Sequence, residues 1–126
     1  MATQGNQIRQ TFVAGADLSG KQYTFVTCNG VTADGENRTV VTPAAGAKVD
    51  GVVINNPKNT HAATVVVFGR TKVKAGGAIP AGAEVQTNAN GQVIAATTGI
   101  RVGKALEAAV ANQIITIDFY PGGNAA

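Results

Sequence analysis

Aromatic residues, charged residues and cysteine are all scarce in this sequence of 126 residues. Tryptophan is absent, and charged residues make up 13% of the chain, whereas an ordinary soluble domain has roughly 25%. The single cysteine, Cys28, cannot form a disulfide within the chain, which excludes a disulfide-stabilised scaffold. Aromatic residues make up only 5%, so bulky anchors are few, and we expect contacts between copies or with a partner to complete the burial of apolar surface.

Long apolar segments and clustered cations are also missing. The longest nearly uninterrupted apolar run, residues 62–68, is too short to cross a bilayer. The first seven residues lack the basic and apolar regions of a signal peptide. The net charge is +3, but the ten cations are dispersed along the chain. We therefore expect synthesis in a cytoplasm, no membrane segment and no direct binding to nucleic acid.

The residues that are abundant favour β structure. Hydrophobic residues make up 44% of the chain, there are 16 glycines, and the length fits one domain with its own core. Short stretches rich in Val and Thr are separated by Asn-Gly, Asp-Gly and Pro signals, which predicts strands joined by turns. We predict strands over residues 23–28, 38–42, 49–54, 63–68, 70–75, 84–87, 92–95, 100–102 and 115–120.

The spacing of these segments predicts an all-β fold, a small compact barrel or sandwich of the β-tulip or β-clip type. Residues 1–11 are polar and aperiodic, so we expect a flexible N-terminal arm that becomes ordered on a partner. Residues 12–126 then form the single β domain. Gly103 is expected to mark a β-bulge. No repeat of about 20 to 50 residues is visible in the sequence.

Residues 104–111 depart from the β pattern. Their sequence, Lys-Ala-Leu-Glu-Ala-Ala-Val-Ala, has high helix propensity, although a helix of this length is marginal in water. From the residues alone, a helix is as favoured here as a strand or turn.

No set of residues in the sequence fits catalysis, cofactor binding or metal binding. His61 is the only histidine and lies in a polar turn, so a second histidine ligand is missing. Cys28 ends an apolar strand, where cysteine usually serves as a small buried side chain. The seven carboxylates fall mostly in turns. We predict no enzyme activity, no cofactor and no bound metal.

The candidate binding residues are cationic or lie near the N-terminus. Alternation along a strand places Arg70, Lys72 and Lys74 on one face, about 7 Å apart in succession. This face is either plainly solvated or a surface that meets an acidic protein. A second set is expected to become ordered on a partner, and it consists of Thr3, Gln4, Gln7, Ile8, Arg9 and Phe12.

Several stretches, in order along the chain, resemble landmarks of the head-decoration (capsid cement) proteins of tailed bacteriophages. The first is residues 14–23, Ala-Gly-Ala-Asp-Leu-Ser-Gly-Lys-Gln-Tyr, and the second is residues 51–57, Gly-Val-Val-Ile-Asn-Asn-Pro. The third is residues 69–85, with Lys-Ala-Gly-Gly-Ala-Ile-Pro-Ala-Gly-Ala-Glu-Val at its end. The fourth comprises residues 103–109 and the closing Ile-Thr-Ile-Asp-Phe strand. Residues 29–38 depart from the family, whose turn is shorter.

This resemblance implies a compact β fold, often a homotrimer, on the outer surface of a mature icosahedral head in the virion. There such a protein clamps neighbouring subunits of the major capsid protein against the pressure of packaged DNA, after synthesis in the bacterial cytoplasm. The resemblance also favours strand for residues 104–109 and implies no catalysis. Two alternatives remain, namely a β-clip or barrel-sandwich binding module and another structural protein of a phage head or tail.

Overall fold

The structure is a computed structural model that describes residues 7–31, 35, 38–97 and 99–120. This part of the chain consists of strands, turns and loops, which confirms the all-β prediction. It contains no helix able to span a membrane. The strands are β1 (Gln7–Ala14), β2 (Thr24–Val31), β3 (Arg38–Val41), β4 (Gly51–Val53), β5 (Ala62–Lys74), β6 (Glu84–Thr87), β7 (Val93–Ala95), β8 (Gly103–Ala105) and β9 (Ile114–Phe119).

Five of the strands close into a barrel. Their order is β1-β3-β2-β4-β5, and β1 pairs again with β5 to complete the ring. β1 and β3 are parallel, with Val13 facing Thr39, whereas the other strand pairs are antiparallel. The remaining strands continue from β5 in the order β9-β8-β6-β7. A parallel bridge between Ala75 and Val93 brings β7 back to the end of β5, so this second half also curls on itself.

Two hydrophobic cores fill the two halves, and strands β2 and β4 contribute to both. Neighbouring side chains in a strand point to opposite faces of the sheet. Phe25 and Val52 therefore enter the core of the second half, whereas Val26 and Val53 enter the core of the barrel. All four are fully buried, so β2 and β4 form a wall that the two halves share.

Strand β5 links the two halves and is longer than predicted. The sequence indicates two strands separated at Gly69, but the structure has one strand over Ala62–Lys74. Gly69 has a φ of 109°, a conformation that a side chain disfavours, so glycine lets the strand continue. Gln7 of β1 and Phe119 of β9 are both register partners of Gly69, and the two described ends of the chain therefore meet at this residue.

The predicted arm over residues 1–11 needs a correction, because residues 7–11 belong to the sheet. They form the first part of β1 and pair with β5, where Gln7 faces Gly69 and Thr11 faces Thr64. Their side chains are largely solvent-exposed and mostly polar, so the sequence pattern did not indicate a strand. The strand is held by backbone hydrogen bonds to β5. Residues 1–6 lie outside the described residues.

The region around β8 lacks the predicted bulge, and its structure decides between helix and strand or turn for residues 104–111. Gly103 does not mark a bulge, because it lies in register with both Val85 and Phe119. A Cβ at this position would overlap the carbonyl oxygen of Asp118, so glycine permits a close approach of two backbones. Residues 104–111 contain no helix, since β8 extends through Ala105 and the following residues form turns and a single bridge.

Residues 73–87 and 103–117 share one backbone pattern, in which a strand end, a bend, a bridge and a turn lead into a second strand, although their side chains differ. At the centre of the arrangement Ile79 and Ala109 exchange two hydrogen bonds, each residue donating to the other's carbonyl at 2.9 Å. These two residues occupy the same position in their segments, at an offset of 30 residues (79 to 109). A contact between equivalent positions is the mark of a two-fold axis, which here passes between Ile79 and Ala109.

The hydrogen bonds around this axis occur in matched pairs. The N–H of Gly82 donates to the carbonyl of Ala105 at 2.9 Å, and the equivalent N–H of Asn112 donates to the carbonyl of Ala75 at 2.7 Å. Gly82 and Asn112 both have positive φ, of 82° and 71°. The chain therefore contains an internal repeat that the sequence analysis did not detect, because it is conserved in backbone geometry and not in side chains.

Candidate interaction surface

The residues weighed for catalysis and metal binding form no catalytic or metal-binding group within the described part of the chain. His61 is exposed in the turn before β5, and its carbonyl accepts a hydrogen bond from the N–H of Ala14. Cys28 is half-buried in β2, where burial first and then the carboxylate of Asp50 raise the pKa of its thiol, which stays protonated near neutral pH. Within the described ranges no three His, Cys, Asp or Glu side chains are grouped so as to hold a metal ion.

The three predicted cations do share the outward face of β5. Arg70, Lys72 and Lys74 alternate with buried residues along the strand. Arg70, however, is neutralised within the chain, because its Nε lies 3.2 Å from Oδ1 of Asp118 on β9. Of the three cations predicted to meet an acidic partner, only Lys72 and Lys74 therefore remain as candidates.

Arg70 and Asp118 begin a row of alternating charge that crosses four strands. Asp118 on β9 faces both Arg70 on β5 and Lys104 on β8, and Lys104 in turn faces Glu84 on β6. Beyond the row, Nη1 of Arg101 lies 3.1 Å from Oε1 of Glu84. Directly opposed side chains of opposite charge stabilise a sheet modestly. Because the signs alternate, this part of the surface carries little net charge and offers a weak electrostatic signal to a partner.

The other two lysines face uncharged partners. Lys72 lies opposite Thr116, and Lys74 lies opposite Ile114. Neither lysine forms a salt bridge with a described acid. The positive charge available to a partner on this face is therefore at the end of β5 farthest from Arg70.

An open pocket of about 280 Å³ adjoins the charge row. Tyr120 forms part of its wall, and burial first, followed by the negative charge of Glu84, raises the pKa of the phenol, so it is a neutral hydroxyl at physiological pH. The only charged groups in the lining are the paired Arg70 and Asp118, which gives the pocket no set of groups for acid–base chemistry. Its walls are made by Phe68, Gly69, Arg70, Asp118, Phe119 and Tyr120.

The N-terminal candidates divide between structural and exposed positions. The side-chain amide of Gln7 donates to the carbonyl of Arg70 at 2.8 Å, and Nε of Arg9 donates to Oε1 of Gln7. The first bond fastens the start of β1 to β5, and the second holds the side chain of Gln7 within β1. Phe12 is only 8% exposed and lies in the barrel core, so the prediction that it contacts a partner is corrected to a packing role.

Ile8 is the apolar N-terminal candidate that remains on the surface. It is 56% exposed and faces Phe68, itself 52% exposed, across β1 and β5. The other two candidates, Thr3 and Gln4, lie outside the described residues. Ile8 is therefore the only member of this predicted set that presents apolar surface in the described chain, and Phe68, which was not predicted, enlarges that surface.

A second exposed apolar surface, which the sequence analysis missed, surrounds the turn between β8 and β9. We call it the β8–β9 surface, and it consists of Leu106, Val110 and Ile114, which are 38%, 59% and 46% exposed. The N–H of Leu106 donates to the carbonyl of Thr116 at 3.1 Å, which holds the start of the turn against β9. The available signal was the alignment of residues 105–115 with residues 75–85, which places Leu106, Val110 and Ile114 where the first segment has Gly76, Pro80 and Glu84.

Comparisons with known proteins give a similarity of fold. No family model matches the chain, and a search of curated proteins finds no match. Among solved structures, the chain is similar to the N base of the head fiber gp8.5 of bacteriophage phi29, with a TM-score of 0.74. The superposition covers 94% of this chain and 98% of that chain, at 16% sequence identity. The chain therefore shares, over nearly its whole length, the fold of a domain found in a phage head fiber.

Proposed function

We propose that this chain is a non-catalytic structural protein of a phage head. In this proposal it attaches to the outer surface of the shell and stabilises contacts between subunits of the major capsid protein. The observation that carries the proposal is the similarity of fold to the N base of the phi29 head fiber over nearly the whole chain. The ordered sequence landmarks between residues 14 and 119 support the same role.

Attachment to an assembled shell stabilises it by mass action. A protein that binds only the assembled state at 100 times its dissociation constant contributes about 2.7 kcal/mol for each site, and a head offers many equivalent sites. We further propose that the chain binds as a homotrimer, because several simultaneous contacts raise the avidity of weak single ones. The cyclic contact of a trimer closes on itself and leaves the outward faces available.

The charge of the chain supports an acidic protein partner. The net charge is +3, with a sequence pI of about 9.3, and Lys72 and Lys74 on β5 face uncharged residues. Positive charge of this kind speeds encounter with an acidic surface and makes association sensitive to salt.

The first experiment is an inventory of virion proteins. Purified particles of the phage that encodes the chain should contain it in many copies by quantitative mass spectrometry. Particles made without it should assemble and package DNA normally, but they should release DNA at a lower temperature than complete particles, or after a milder osmotic shock. Empty shells should show a smaller difference, because they lack internal pressure.

Two results would contradict the proposal. Absence of the chain from purified particles would exclude a virion role, and equal survival of heads with and without the chain would exclude stabilisation. The oligomeric state is measured separately by light scattering in solution and by its density on the head. A monomer in both would contradict the trimer while leaving the attachment role open to the survival assay.

A further inference from the structure

The internal two-fold repeat provides a comparison between two copies of one backbone unit. In the first unit, Glu84 opens β6 and faces Lys104. In the second unit, the equivalent residue is Ile114, which opens β9 and faces Lys74. The two positions are both exposed and share the same backbone environment. The fold is therefore satisfied by an acid opposite lysine, and it does not require the exposed isoleucine.

Leu106 follows the same trend, whereas Val110 corresponds to Pro80, which is also exposed. Leu106 occupies the position of Gly76, which is partly covered because Asn88 and Gln92 of the β6–β7 hairpin lie against it. Leu106, by contrast, is 38% exposed. Val110, in the adjoining turn, is 59% exposed. Large aliphatic side chains thus gather at one of two equivalent places, where burial within the domain does not account for them.

We propose that the β8–β9 surface, together with Lys74 and Lys72, is the surface by which the chain docks on its partner. The partner we infer is a protein surface of the head shell with an apolar centre and a carboxylate at its margin. This inference rests on the proposed function. The apolar centre covers Leu106, Val110 and Ile114, and the carboxylate faces Lys74, whose counterpart Lys104 already faces an acid within the chain.

Charge complementarity favours such a partner over a second copy of this chain. Two copies joined through the same surface would bring together two faces that each carry Lys72, Lys74 and the single carboxylate of Glu107. Each face therefore has a net positive charge, and like charges repel. The other described apolar surface, Ile8 with Phe68, adjoins Arg9 and offers no unpaired carboxylate nearby, because Asp118 is engaged by Arg70. An external acidic protein therefore completes the surface better than the chain itself.

The test compares Ile114→Glu with Ile8→Glu. Both variants replace a strand isoleucine that is about half exposed, and Glu84 shows that the unit accommodates a glutamate in the position of Ile114. The probe is purified heads of the encoding phage that lack this protein, with binding followed by co-sedimentation. Ile114→Glu should weaken binding at least tenfold more than Ile8→Glu, with unchanged melting temperature. Lys74→Gln should reduce the dependence of native binding on salt.

Each result decides a different question. If the native chain does not bind these heads, the proposed function fails. If the native chain binds and Ile114→Glu binds within tenfold of Ile8→Glu, the assignment of this surface is overturned while the proposed function stands. If Ile114→Glu lowers the mass of the free protein in sedimentation, the surface lies between copies and the named partner is wrong. Should Ile114→Glu fail to fold, Leu106→Ser, which lies outside the strands, serves under the same criterion.

Discussion

Gln86 is a buried polar residue whose replacement should weaken the second half of the domain. It lies on β6 with 5% of its surface exposed, and its Oε1 accepts hydrogen bonds from the N–H groups of Thr97 and Gly99, each at 2.9 Å. Gln86→Met keeps the unbranched side chain and removes the acceptor. Each of the two lost bonds contributes about 1 kcal/mol, so we expect the free energy of unfolding to fall by about 2 kcal/mol.

The loop that Gln86 holds also packs against another loop, which allows a local measurement. Gly99 lies against Gly46, and the N–H of Ile100 donates to the carbonyl of Gly46 at 2.9 Å. Urea titrations should show the loss of about 2 kcal/mol, which in thermal unfolding corresponds to a fall in melting temperature of about 6 to 12 °C. Amide hydrogen exchange at Gly99 should accelerate. The control is Gln113→Met, because Oε1 of the exposed Gln113 accepts one turn N–H that water can replace. Equal stability of the Gln86 and Gln113 variants would refute the reasoning.

Three further predictions follow from the geometry. Gly82→Asn should cost less than 1 kcal/mol in thermal unfolding, because Asn112 holds a similar positive φ at the equivalent position, whereas Gly82→Val should cost clearly more, since β-branched residues disfavour that region. Asp118→Asn removes the acid of the exposed β5–β9 ion pair and should change stability by less than about 1 kcal/mol, an effect that high salt erases. The raised pKa of Cys28 leaves less thiolate than a free cysteine has at pH 8, so alkylation by iodoacetamide should be slow and should accelerate as the pH rises. Asp50→Asn should lower that pKa and speed the reaction, and equal rates for the two proteins would contradict the contribution of Asp50 to the shift.

The local part of the fold could be predicted from the residues, because it depends on short-range signals. The Asn90-Gly91 turn does join two paired strands, β6 and β7, as a two-residue turn signal between apolar runs predicts. The choice between helix and strand after Gly103 could not be made this way. The N–H of Ala105 donates to the carbonyl of Ala83, and Ala109 exchanges two hydrogen bonds with Ile79. These partners come from a distant segment and override the helix propensity of the segment.

The candidate surface was harder to predict, because it depends on long-range pairing and on cover. Alternation correctly placed Arg70 with the two lysines on one face of β5, but the cross-strand register that sets Asp118 opposite Arg70 is not written in either strand alone. Likewise, Phe12 follows a polar stretch and could serve as an exposed aromatic anchor for a partner. Only the pairing of β1 with β5 buries its side chain. The exposure of Ile114 depends on the pairing of β9 with β5, which is a long-range contact that the local sequence does not specify.

The meeting of β1 and β9 at Gly69 makes the domain a natural subject for circular permutation. Gln7 and Phe119 each lie one strand spacing from that glycine, so their backbones are within about 10 Å of each other. A short Gly/Ser linker could span this gap and convert the chain into a closed loop, which could then be opened at the exposed turn around Gly82 without cutting a strand. Peptides joined directly to Gln7 and Phe119 would emerge next to each other at one edge of the domain, which suits a display scaffold that presents two tags side by side.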